Sequence, residues 1–293
     1  MSEQRRVQAT LGLNRPSRWV LVAAMVVMGV VILLPLYWIV VSATKNQAEL
    51  YGSFGFWFHG PFNLFTNIHD LFTYRSGIFW RWLANTALYS LVGGGGATVL
   101  CCLGGYAFSR FEFRGRRGLF TMIVASLLVP TTALTIPTYI LYSKIGLVNN
   151  VFGMLIPSLV SPIGIYLMRV FVDGSVPREM LDAARIDGAS ERTIFTRIAA
   201  PLMVPGAVTV LLFTVVATWN NYFLPFIIFS RQDLYPVTVG MSLWASQAAA
   251  GGSAEQLYPL VVTGGIFSIL PLMILFLVLQ RYWRAGLLTG AIR

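Results

Sequence analysis

The chain has 293 residues, 56% of them hydrophobic and 11% charged, with a mean hydropathy of +0.71. Soluble domains carry about 25% charged residues, so this composition excludes a soluble fold, and the long continuous apolar stretches exclude a β-barrel, whose strands alternate. The net charge of +10 is not a nucleic-acid signature, because the basic residues sit in short loops between apolar runs.

A hydrocarbon core about 30 Å thick takes about 20 residues per helix, and the apolar runs divide accordingly. Residues 1–17 read as a polar, basic tail. The first span is predicted over Trp19–Val41; its apolar run is too long for a cleaved signal and no small-residue site follows, so it reads as an uncleaved anchor. Residues 42–81 read as a loop rich in Gly, Phe and Trp, in which Trp57, Trp80 and Trp82 suit a membrane–water interface. His59 and His69 lie here without the ligand spacing of a metal site.

The second span, Leu83–Phe108, contains Gly93-Gly94-Gly95-Gly96. No Gly-Lys-Ser/Thr follows, so this is not a phosphate loop; small residues instead allow close helix approach. Cys101 and Cys102 are adjacent and read as unbridged packing residues. Arg110, Arg114, Arg116 and Arg117 crowd the next loop. The third span, Leu119–Tyr142, holds Pro130 and Pro137 among Thr131, Thr132, Thr135 and Thr138. Proline frees backbone carbonyls that hydroxyls or water can satisfy, so the segment is either a kinked structural helix or an irregular one beside a wet path. The fourth span, Val151–Val172, breaks near Pro157 and Pro162. A loop over 173–204, a fifth span Pro205–Phe229, a loop over 230–257, a sixth span Tyr258–Arg281 and a basic tail over 282–293 complete the chain.

Of the 21 lysines and arginines, sixteen fall on the side of the N-terminus and five (Lys45, Arg75, Arg81, Lys144, Arg231) on the other. The bias predicts an all-α membrane protein with six transmembrane helices and both termini cytoplasmic. It divides into a tail (1–17), a first span with its extracytoplasmic loop (18–81), a transmembrane core (82–281) and a second tail (282–293).

Acidic and basic residues are confined to loops, tails and span ends. Proton-driven carriers place ionisable groups inside the membrane, which argues against that class; sodium coupling through carbonyls and hydroxyls stays open. No catalytic constellation, metal site or Walker-type loop is present. The expectation is therefore a non-enzyme that takes energy from another protein.

The loop over 173–204 is where energy could enter. Pro177 suits the first position of a helix and Glu179 its first turn. Met180, Leu181 and Ala184 share one face, Asp182 and Arg185 can pair, and Gly188 suits a left-handed cap. Ser190 can cap a second helix bearing Ile194, Phe195 and Ile198, which ends by Pro201 and Pro205. This helix pair is either a hairpin lying on its own bundle or a docking element. In the fifth span, Trp219, Asn220, Asn221 and Tyr222 offer aromatic faces and amides suited to sugar, or packing against a partner.

Asp182-Ala183-Ala184, then Gly188 after three residues, then Ile198 and Pro201 resemble the EAA loop of permease subunits in bacterial ABC importers. Two departures occur: Asp182 stands where Glu is usual, and Ala199-Ala200 replaces a bulkier pair. Asn85-Thr86, Tyr106-Ala107-Phe108-Ser109-Arg110, Trp219-Asn220-Asn221-Tyr222-Phe223-Leu224-Pro225, Gln280-Arg281-Tyr282 and Gly286-Leu287-Leu288-Thr289-Gly290-Ala291-Ile292 extend the resemblance to the carbohydrate branch, nearest the smaller subunit of maltose-type systems. The resemblance implies a type I ABC importer permease fold in a bacterial cytoplasmic (inner) membrane. It implies a heterodimer with a second homologous permease, two ATPase subunits that use ATP and Mg while this chain binds no cofactor, and an extracytoplasmic substrate-binding protein. Met180, Leu181, Asp182, Ala183, Ala184, Asp187, Gly188 and Ala189 would then couple to the ATPase, with the apolar face of Met180, Leu181 and Ala184 inserting. A sugar or oligosaccharide is the expected cargo; a glycerol phosphate-type or other polar solute and a sodium-coupled carrier are the alternatives.

Overall fold

The computed structural model describes residues 15–250 and 257–290, and every regular element among them is helical. Among the described residues, five helical stretches are long and apolar enough to cross a membrane: Trp19–Ala43, Leu64–Arg110, Val151–Ser175, Glu191–Ile228 and Leu257–Tyr282. The expected tails over 1–17 and 282–293 and the expected loop over 230–257 lie partly outside the described residues, at 1–14, 291–293 and 251–256.

α1 covers Arg15–Ala43 and α2 covers Gln47–Gly52. α3, Leu64–Leu88, continues through a π turn over Tyr89–Gly93 into α4, Gly94–Arg110. The expected loop over 42–81 is thus largely helical, with a kink at Tyr74–Gly77 where Arg75 (φ 46°), Ser76 (φ 58°) and Gly77 (φ 78°) turn left-handed. Trp82 is not at an interface either. It is fully buried against Trp244 at 4.6 Å between ring centroids, and its Nε1 donates to the Gln232 carbonyl. Trp57 and Trp80 are exposed.

The third span is not one helix. α5, Arg116–Ser126, and α6, Thr135–Ile145, each have 11 residues and are parted by turns around Pro130. The ring of Pro130 disfavours helical geometry at Val129. α7, Val151–Ser158, and α8, Pro162–Ser175, are parted at residues 159–161, with the Ser161 hydroxyl capping α8 by accepting the Gly164 N–H.

α9 covers Arg178–Ile186. α10, Glu191–Thr193, runs through a π turn at Ile194–Ala199 into α11, Ala200–Trp219. The second helix of the expected pair therefore does not stop at Pro201 or Pro205; it is the start of the fifth span. A π turn is a wider turn, and here it lies directly before Pro201, which lacks the N–H an α-helix would use. α12, Phe223–Ile228, follows a break at Asn220–Tyr222. The expected loop over 230–257 contains α13, Val237–Ala249, which buries Trp244. α14 covers Leu257–Gly290.

Glycine sets the closest helix approaches. A Cβ on Gly105 would lie 2.5 Å from the Met168 Cβ and 2.8 Å from the Arg169 nitrogen, so α4 and α8 touch almost backbone to backbone. Gly94 does the same for α4 and α11, where a Cβ would lie 2.9 Å from the Val215 nitrogen, and the Thr214 hydroxyl donates to the Gly94 carbonyl at 3.0 Å. In the four-glycine run Gly93, Gly94 and Gly96 meet neighbours and Gly95 faces open space. Both cysteines are free. The core cluster that concerns function joins Tyr106 of α4, Met168 and Val172 of α8, Leu181 of α9 and Ile194 and Met203 of the long helical run.

Candidate functional site: a helix pair and a cavity at three helix breaks

Pro177 caps α9 from just outside it, one position earlier than the sequence suggests, and Glu179 occupies the first turn. The other end closes as a Schellman motif: the Ala189 N–H donates to the Ala184 carbonyl and the Gly188 N–H to the Arg185 carbonyl, both at 3.0 Å. That geometry needs φ +80° at Gly188, which a residue without a Cβ adopts freely. The Ser190 hydroxyl then accepts the Thr193 N–H at 3.3 Å and starts the long helical run.

Arg185 fastens the turn from both sides. Its Nη1 lies 2.7 Å from the Asp182 carboxylate, while Nε and Nη2 hold Glu191 at 2.6 and 3.3 Å. The hydrogen bond to Glu191 raises the Arg185 pKa above its ordinary value, so its charge is permanent and already engaged.

The face expected to insert into a partner is divided. Leu181 is 1% exposed and Ala184 packs beside it on the chain's own core. Met180, Asp182, Ala183, Asp187 and Gly188 are exposed, Ala189 is half-buried, and Ile186 is 86% exposed. Periodicity shows which residues share a face, but the direction of that face comes from tertiary packing. Leu181 anchors α9 instead of presenting it, and Ile186, overlooked in the sequence, carries the outward apolar surface together with Met180.

The approach to α9 is fixed by Arg110, whose side chain is 5% exposed. Its guanidinium lies 3.6 Å from the Asp173 carboxylate and donates to the carbonyls of Val172, at 2.6 Å, and Val176. The Ser109 hydroxyl donates to the same Asp173 carboxylate at 2.5 Å. Arg169 reaches Asp173 from one turn before it, at 3.8 Å. The end of α4 thereby grips the residue immediately before Pro177. Neither Arg110 nor Asp173 stood out as a site residue in the sequence, although Ser109-Arg110 closes one of the motifs that carry the resemblance.

At the far end of the long run, the three helix breaks meet. A cavity of about 560 Å³ is lined by Thr131, Thr135 and Thr138 from the first break, Ser158 and Ser161 from the second, and Asn220, Asn221 and Tyr222 from the third. Among the described residues, none that lines it is charged. The Tyr222 ring stacks on Phe226 at 5.2 Å and its hydroxyl lies 3.2 Å from the Ser242 hydroxyl. Trp219, grouped with these residues in the sequence, does not line the cavity. It is 5% exposed and its indole Nε1 donates to the Ser268 carbonyl of α14.

Residues 101–287 match the family described as binding-protein-dependent transport system inner membrane component. This chain belongs to that family. It is 28% identical to the arabinooligosaccharides transport system permease protein AraQ of Halalkalibacterium halodurans, over 94% of this chain and 96% of that protein. It is 29% identical to the sn-glycerol-3-phosphate transport system permease protein UgpE of Escherichia coli, over 94% and 98%. Its fold is similar, with a TM-score of 0.78 over 92% of this chain and 99% of the other, to a chain from the crystal structure of a bacterial ABC transporter involved in the import of the acidic polysaccharide alginate, at 24% identity.

Proposed function

We propose that this chain is one permease subunit of an ATP-driven importer for a neutral sugar or oligosaccharide. Six spans, the third broken at Pro130, would cross a bacterial inner membrane with both termini cytoplasmic. The core over 82–281 would pair with a second, homologous permease, receive cargo from an extracytoplasmic binding protein and rest on two ATPase subunits that bind ATP and Mg. The chain has no nucleotide loop of its own and is not the enzyme of the assembly.

The observation that carries this reading is continuity. The glycine turn at Gly188 leads at once into a helical run that ends beside the cavity, at Trp219. At about 1.5 Å per residue that run is roughly 40 Å long, and it joins the exposed tip of α9 to Asn220. When ATP closes the ATPase pair, the cleft holding Met180, Ala183, Ile186 and Asp187 would carry α9 with it. Leu181 and the Arg110 clamp would pass that displacement to α8 and the long run, and the cavity would open to the opposite side. Hydrolysis would reverse it.

The cargo class follows from the cavity lining. Hydroxyls and amides can exchange hydrogen bonds with sugar hydroxyls in either direction, and the Tyr222 ring can take a sugar face. A phosphate or uronate would find no cation on this chain's side of the cavity, which favours neutral glycans over the anionic cargo named for two of the relatives. ATP-dependent uptake by the reconstituted complex, measured with neutral oligosaccharides, glycerol phosphate and a uronate oligomer, tests this. Uptake of neutral glycans alone supports it; uptake driven by a sodium gradient without ATP, or of anions alone, overturns it.

A further inference from the structure

From Leu50 to His69 the sequence contains no Asp, Glu, Lys or Arg. In place of charge it carries aromatic side chains that the structure leaves bare: Phe54, Trp57, Phe58, Phe62 and Phe65 are all exposed, Phe54 at 73% and Phe65 at 76%. The rings form a chain, with Trp57–Phe58, Phe58–Phe62 and Phe62–Phe65 centroids 6.1, 6.5 and 6.4 Å apart. They do not cover a core, and a soluble surface would not expose so many.

The segment is held at a defined place along α1. Its C-terminal end is tied to the end of α1: the Asn63 N–H donates to the Thr44 carbonyl at 2.9 Å, and the Asn67 amide donates to the carbonyls of Ala43 and Lys45 at 2.8 and 3.0 Å. Ahead of these ties the chain runs back along α1. The Tyr37 hydroxyl donates to the Phe56 carbonyl at 2.9 Å, and Gly55 packs on the Trp38 indole. Tyr37 precedes the last residue of α1 by six positions, about 9 Å along the helix axis. Lys45 closes the fold from beneath. It is 1% exposed, and its amine donates to the Phe54 carbonyl at 2.7 Å and the Ser53 hydroxyl at 2.9 Å, with no carboxylate partner among the described residues.

We infer that residues 50–65 form a re-entrant aromatic collar that lies in the lipid interface around the end of the first span, with Lys45 and Tyr37 as its positioning residues. Interfacial elements bury apolar side chains about 5–10 Å into the headgroup–acyl boundary, which matches the offset of Tyr37 and its partner Phe56 from the end of α1. Tryptophan and its aromatic neighbours favour that zone, and a charge-free segment can enter it without stranding an ion. The face of α1 beside the collar is also apolar and exposed through Trp38 and Val40, so collar and span offer lipid one continuous surface. This inference rests on the membrane reading, not on the cargo or the ATPase.

The test uses the intact complex in nanodiscs, with Cys101 and Cys102 replaced by Ala and an environment-sensitive fluorophore on Trp57→Cys, Phe62→Cys or, as a water-exposed control, Ser230→Cys. The collar predicts that probes at positions 57 and 62 lose most of their emission to lipids carrying a shallow acyl-chain nitroxide and little to aqueous iodide, with the control showing the reverse. Quenching by iodide as at the control, or protection from both quenchers because protein covers the segment, overturns the inference. Lys45→Met and the milder Tyr37→Phe should each move the position-57 probe toward iodide; unchanged quenching in both removes the positioning role. None of these readouts depends on transport, so failure of the importer reading would appear separately, in uptake.

Discussion

Ser190 and Asn220 cap the two ends of one uninterrupted helical run. The Ser190 hydroxyl accepts the Thr193 N–H at its start, and the Asn220 N–H donates to the Val216 carbonyl at 3.1 Å at its close. One end adjoins the Gly188 turn and the other lines the cavity, so a displacement at the first has a rigid path to the second.

Gly188 separates local strain from docking. Its αL conformation costs an ordinary L-residue about 1–2 kcal/mol, and a Cβ there would meet nothing within 4 Å. Gly188→Ala is expected to fold and keep partial ATP-dependent uptake. Gly188→Arg, with a long charge at the exposed tip, is expected to insert in the membrane and abolish uptake. Immunodetection in membranes beside uptake assays checks both.

Ile186 and Leu181 lie on opposite sides of α9 and should fail differently. Ile186→Asp changes an exposed side chain, so thermal stability of the permease pair should hold while uptake and ATPase co-purification fall at least roughly tenfold, ~1.4 kcal/mol of docking. Leu181→Ala removes a buried side chain and should cost about 2–5 kcal/mol of stability, read as a lower melting midpoint in detergent.

The Arg110 clamp needs a planar fork. A lysine cannot hold the Val172 and Val176 carbonyls and Asp173 together in the same geometry. Arg110→Lys is therefore expected to leave ATP hydrolysis by the assembly running while uptake per ATP falls. Equal loss of both rates would place Arg110 in the fold alone.

Asn220 and Trp219 are neighbours with separate tasks. Asn220→Ala and Asn221→Ala should raise the KM for uptake, each by roughly tenfold for a lost hydrogen-bonding side chain, with little effect on stability. Trp219→Phe removes the hydrogen bond to Ser268 and part of a buried ring, and should cost about 1 kcal/mol of stability or more without altering selectivity.

Much of this was legible in the sequence. Hydropathy located the long apolar stretches, and of the two readings open for the proline–threonine run over 130–138, a kinked structural helix or an irregular one beside a wet path, the break around Pro130 beside the cavity fits the second. Gly188 and Ser190 announced the turn, because an αL cap and a helix N-cap each need a specific residue type. Orientation of faces was not legible: Met180, Leu181 and Ala184 share a side by spacing, but only the packing of Leu181 against Met168 and Val172 turns that side inward. Nor was the burial of Trp82 and Trp244, since a tryptophan at the edge of an apolar run reads equally as interface or core. Pro201 and Pro205 signalled a stop that the π turn at Ile194–Ala199 overrides.

The central claim is that the run from Glu191 to Trp219 moves as a rod between the docking tip and the cavity. Paired spin labels at Arg192 and Ala217, and at Leu134 and Ala217, measured by pulsed electron resonance on the intact complex with and without trapped ATP, test it most directly. The account predicts an unchanged Arg192–Ala217 distance and a Leu134–Ala217 distance that changes as the cavity opens. A change in Arg192–Ala217 with Leu134–Ala217 fixed would mean that the helix bends at its π turn and the motion never reaches the cavity.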